Sequence, residues 1–130
     1  MTHNEVLAMK PGRELDALVA EKVMGWVEFS PIDPTIDFGV HGKYRWNYAK
    51  DPKDGKQKPI PWYSEDIAAA WEVVEKMLER GGCEIGCYGS KNGAKWFEVN
   101  VITMNGEVTV TAQTPAEAIC KAALLAVMEE

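Results

Sequence analysis

At 130 residues, 46% of them hydrophobic and 26% charged, the chain has the size and composition of one folded domain with one core. Twenty acidic residues against 14 basic ones give a net charge of −6, which argues against duplex DNA or RNA as a partner, where basic surface supplies most of the affinity. No apolar run approaches the roughly 20 residues of a bilayer span. The opening Met1-Thr2-His3-Asn4-Glu5 is polar and acidic, unlike a secretory leader, so a cytoplasmic protein with no membrane partner is expected.

The first signals are helical. Thr2 followed by Glu5 fits a capping box for a short helix over residues 2–9. Lys10-Pro11-Gly12 breaks the chain. Leu15, Leu18, Val19 and Val23 then recur at helical spacing, and Gly25 marks the stop. Residues 26–62 form an irregular insert with five prolines, yet it holds Trp26, Phe29, Phe38, Tyr44, Trp46, Tyr48 and Trp62. A disordered linker would not carry so many aromatics. A pair of strands near residues 40–48 and 58–62, joined at Asp54-Gly55, is predicted inside it.

Ser64 reads as the cap of the next helix, with Glu65 and Asp66 at its positive end. Ile67, Ala70, Trp71, Val74, Met77 and Leu78 are predicted as its buried face, and Gly81-Gly82 ends it. Three strands follow, with Cys83, Ile85 and Cys87, then Phe97, Val99 and Val101, then Val108, Val110 and Ala112 alternating with more polar residues. Turns at residues 90–93 and at Asn105-Gly106 join them into an antiparallel meander. Thr114-Pro115-Ala116-Glu117 opens the last helix with an N-cap, a proline at the first position and a capping box. That helix is apolar on nearly every side and must be buried by its own domain or by a partner. Leu18, Trp71, Val99 and Ile119 are expected in one core.

Cys83, Cys87 and Cys120 are an odd number of cysteines in a cytoplasmic chain and read as reduced core residues. The two histidines, His3 and His41, have no context that would complete a zinc site. Neither a metal nor a cofactor is expected.

Residues 10–26, 61–77 and 112–125, taken in order and spacing, resemble the phage ABA-sandwich domain family of small phage and prophage proteins. The resemblance implies an α+β fold: an αβα sandwich with a three-stranded antiparallel meander and about three helices, helices packing on both faces of the sheet. It implies one domain over residues 1–130, the insert at 26–62 being the variable part, and a setting in the host cell cytoplasm. It brings no catalytic residues with it.

One cluster has the chemistry of a binding site. Tyr44, Arg45 and Trp46 in the insert, with Trp62, Tyr63 and Ser64 before the helix, combine flat rings, a guanidinium and a helix start. Rings stack on bases, arginine forks onto phosphate, and helix N-termini favour anions. Such a set would suit a cyclic dinucleotide or an ADP-ribose derivative, although Glu65 and Asp66 would oppose an anion. The bland alternative is that these rings fasten the insert to the helices. Glu84, Glu98 and Glu107 could share the mixed sheet face, but strand carboxylates are commonly just solvated, and no nucleophile–histidine–acid set accompanies them. The expected function is non-catalytic sequestration of a nucleotide-type host immune signal by a phage accessory protein. The alternatives are a protein-interaction module acting through the apolar last helix, a homo-oligomer among its forms, and a small hydrolase.

Overall fold

The computed structural model describes residues 2–30 and 48–128. The elements run α1 (His3–Ala8), α2 (Arg13–Lys22), β1 (Val27–Ser30), β2 (Tyr48–Lys50), β3 (Gln57–Pro59), α3 (Ile67–Leu78), β4 (Gly81–Gly89), β5 (Lys95–Thr103), β6 (Gly106–Ala112) and α4 (Pro115–Met128). The fold is α+β, as the sequence pattern and the resemblance imply, with a meander in the order β4-β5-β6. No helix among the described residues is long and apolar enough to cross a membrane.

Local chemistry accounts for most boundaries. Thr2 accepts a hydrogen bond from the Glu5 N–H at 3.2 Å, and Thr114 accepts one from the Glu117 N–H at 3.2 Å, so both predicted capping residues cap. Gly25 takes the left-handed conformation (φ 79°) that lets the chain turn away after α2. The cap of α3 differs from expectation. Asp66, not Ser64, accepts from the Ala68 N–H at 3.0 Å. A carboxylate so placed also matches the positive end of the helix.

The meander pairs Ile85 with Val99 and Val99 with Val110, which sets all apolar alternates on one face. Both α4 and α3 pack on that face, α4 against β5 and β6, α3 against β4. Helices α2 and α1 pack in turn against α4. Ten of the 14 residues of α4 are therefore buried inside its own chain. Of the two ways to bury so apolar a helix, by its own domain or by a partner, the first applies: α4 is the centre of the core. The opposite face of the sheet is unequally treated. It carries Glu84, Gly86, Tyr88, Trp96, Glu98, Asn100 and Thr109, all exposed or half-buried. Tyr88 and Trp96 stack there at 5.7 Å, and the Tyr88 ring lies so close over Gly86 that a Cβ at that position would come within 2.7 Å of it.

The insert contains a second small antiparallel sheet in the order β1-β2-β3. Of the predicted pair, residues 40–47 of the first strand lie outside the described residues and only Tyr48 falls in β2 (Tyr48–Lys50), while the second is found at Gln57–Pro59 rather than 58–62, with Gly55 (φ 70°) in the turn between β2 and β3. The additional strand β1 is only four residues long and irregular, with Glu28 at φ 54° and a register shift between Val27 and Ser30, so no period-two alternation marks it. Trp26, Ala49 and Ile60 join this sheet to the core.

Two further expectations fail. Leu18, Val99 and Ile119 are buried, but Trp71 is 51% exposed. The buried face of α3 is Ala69, Ala70, Val73, Val74 and Met77, which is rotated from the predicted one and leaves Ile67, Trp71 and Leu78 outside. Small residues let the helix approach α4 and the sheet more closely than a face led by an indole would. Of the cysteines only Cys120 is a core residue; Cys83 is half-buried and Cys87 exposed. All three are free thiols.

Candidate functional site

The loop over residues 60–66 is held to the start of α2 by a buried polar knot. Asp16 lies on the inner side of α2, in an unbroken buried run from Leu15 to Ala20. Its Oδ1 accepts from the Ser64 N–H at 2.7 Å and from the Ser64 hydroxyl at 2.6 Å. Its Oδ2 accepts from Arg13 Nη1 at 3.0 Å. The second guanidinium nitrogen, Nη2, donates to the Ile60 carbonyl at 2.7 Å. Ser64 Oγ accepts from the Gly12 N–H at 2.9 Å, closing the knot. Burial pushes the Asp16 carboxyl above its ordinary range, while the Ser64 hydrogen bonds and the Arg13 charge pull it back.

On the outside of this knot lies Trp62. Arg13 sits over its ring with the guanidinium carbon 4.8 Å from the centroid, within cation–π range. The indole is 55% exposed. It is thus an aromatic surface held in place by a side chain that is itself held by Asp16 and Ile60. Lys10 is exposed just before Gly12, on the same loop that Ser64 grips.

The other predicted site residues are distributed differently. Tyr63 is 2% exposed and forms part of the wall of a cleft of about 130 Å³ shared with Trp26, Asp51, Lys58 and Glu72. Burial, reinforced by the nearby Glu72 charge, pushes its phenol well above the ordinary range, so it is neutral. Ser64 is fully buried in the knot. Tyr44, Arg45 and Trp46 lie outside the described residues.

A wider cleft of about 430 Å³ runs beside α3, lined by Met24, Pro52, Lys53, Glu72, Glu75, Lys76 and Glu79. Lys53 pairs with Glu72 at 3.2 Å and Lys76 with Glu79 at 3.4 Å, leaving an acidic surplus that disfavours an anion. Glu84, Glu98 and Glu107 lie on the outer sheet face, with Glu107 3.4 Å from the Asn100 amide. Among the described residues no group of three or more His, Cys, Asp or Glu is placed to hold a metal ion.

Sequence reasoning missed Arg13 and Asp16, which matter more to this site than Tyr63 or Ser64. A signal existed: an acid within the apolar run of α2, three residues after an arginine, is either solvated or paired, and here it is paired.

No curated protein matches the chain. It is similar to a solved structure described as a phage protein from Bacillus cereus ATCC 14579, at 30% identity and a TM-score of 0.63, over 95% of this chain and 91% of the other. The phage ABA sandwich domain family matches residues 17–124, which span the small sheet, α3, the meander and most of α2 and α4, and so the chain belongs to that family.

Proposed function

We propose that this phage protein binds and sequesters a small nucleotide-type signal of its host without turning it over, and that Trp62 is the centre of the binding surface. The observation that carries the reading is the pairing of an exposed indole with a fixed guanidinium at 4.8 Å. A ring held in this way stacks on a base with little loss of side-chain freedom. The alternatives within the described residues are less suited: the cleft beside α3 has an acidic surplus, and the cleft at Tyr63, about 130 Å³, is below the usual size of a small-molecule site. Membership of a phage family supports an accessory role in an infected cell.

Titration calorimetry against cyclic dinucleotides and cyclic ADP-ribose isomers tests this. Wild type should bind at least one of them, and Trp62→Ala should lose about 1–3 kcal/mol of that binding. The bound compound should be recovered intact after heat denaturation. Binding by none of the panel, or binding unaffected by Trp62→Ala, would overturn the assignment.

A further inference from the structure

The two margins of the main sheet differ in how they are finished. At β6 the inward residues Val108, Val110 and Ala112 are all buried under α4. At β4 the corresponding residues are not: Cys83 and Ile85 are half-buried and Cys87 is exposed. Beside them, α3 leaves Ile67, Trp71 and Leu78 outside. These three lie within one narrow stripe, since positions four and eleven residues apart fall on one side of a helix.

Strand β4 is also unpaired along its outer edge among the described residues. It is nine residues long, holds a single charged side chain, Glu84, and contains no proline, lysine or arginine. Edge strands that stay alone are usually shortened, charged or kinked, and this one has none of those protections in strength. The hairpin after it fixes which backbone groups face outward. The Ser90 N–H donates to the Ala94 carbonyl at 2.9 Å, so the even-numbered residues of β4 turn their N–H and C=O toward β5. Residues 81, 83, 85, 87 and 89 present theirs to the open edge.

We infer that this edge pairs with the β4 edge of a second copy of the chain, antiparallel and two-fold symmetric about Ile85. This is the register that pairs all nine residues, and it brings outward-facing backbone groups opposite one another. The side chains fit it. Glu84 lies opposite Gly86 of the second copy rather than opposite another carboxylate. Tyr88 lies opposite Gly82, so the large residue meets the absent side chain. Ile85 meets its own copy, and Cys83 meets Cys87. A slip that centred the axis on Glu84 would set two carboxylates face to face, which is unfavourable in a strand pair. The result is one continuous six-stranded sheet, in which the half-covered inner side of β4 gains a neighbour.

Thiol cross-linking of the full chain tests both the partner and the register. Directly opposed residues in a hydrogen-bonded pair have Cα atoms about 5.5 Å apart. A short bis-maleimide should therefore join Cys83 of one copy to Cys87 of the other and give a covalent dimer. Cys83→Ser and Cys87→Ser should each abolish it, and Cys120→Ser should not. Sedimentation should show a dimer that Cys87→Lys converts to monomer; that exposed position leaves the core intact. Ile85→Lys should do the same, with circular dichroism to show that it folds. A monomer at all concentrations would overturn the inference, as would pairing of the edge by residues 31–47 of the same chain. A cross-link surviving in either single serine variant would overturn the register.

Discussion

Helices α3 and α4 are similar in apolar content and end in different surroundings. α4 packs against β5 and β6 of the sheet and against all three other helices, and even its lysine is enclosed. Lys121 donates to the Leu7 carbonyl at 3.0 Å, a bond within reach only because α1 docks there, and pairs with Glu117 one turn earlier in α4 at 2.7 Å. α3 touches α4 and the margin at β4, and Ile67, Trp71 and Leu78 on its outer side are about half exposed. Burial is thus decided by a helix's place among the layers rather than by its own greasiness. The smaller residues of α3 face inward because two neighbours must come close, and the bulkier Ile67, Trp71 and Leu78 are left at the rim.

Substitutions can sharpen or break that contrast, each measured by equilibrium urea denaturation in dilute solution. The largest effect is expected in α4: Ile119→Ala should cost about 4 kcal/mol, because the site is enclosed on every side and cannot collapse. Asp16→Ala should cost about 3 kcal/mol by leaving the Arg13 guanidinium and the Ser64 groups without their partner. Val73→Ala, on the inner side of α3, should cost about 2 kcal/mol. Trp71→Ala, two residues away, should stay within about 0.5 kcal/mol of wild type. A loss of several kcal/mol at Trp71 would mean that the outer side of α3 is covered, and the contrast would fall.

Asp16 also gives a prediction in pH. Its native carboxyl titrates above the ordinary 3.8, so between 3.8 and the raised value the folded chain holds a proton that the unfolded chain has lost. This group's contribution to stability is therefore greatest below 3.8 and falls as pH rises through that window. The penalty of Asp16→Ala should accordingly be larger at the acid end than at neutral pH. A penalty that instead grows with pH would show the carboxyl to be held ionised.

Much of the fold was legible in the sequence, and for local reasons. Thr2, Thr114 and Gly25 act through the backbone a few residues away, and period-two alternation fixed the meander. The face of α3 was not legible, because Ile67, Trp71 and Leu78 form as good an apolar stripe as Ala70, Val73 and Met77; neighbours chose between them. Ser64 followed by acids looks like a cap, but its hydroxyl was claimed by Asp16, 48 residues earlier. Of the three described residues of the predicted cluster, only one lies at the surface. Trp62 is exposed, whereas Tyr63 and Ser64 are committed to the interior by contacts that sequence distance conceals.

The central place of α4 bears on synthesis. Every other described element leaves the ribosome before Pro115 does, yet α1, α2, α3, β5 and β6 all find their shared apolar neighbour in the residues that follow it. Until then β5 and β6 lack the helix that covers their apolar face, and the Leu7 carbonyl lacks its lysine. Native structure should therefore appear late and nearly at once, as contacts between distant segments require. A ribosome stalled anywhere in the meander would hold a chain with its future core open to the crowded cell.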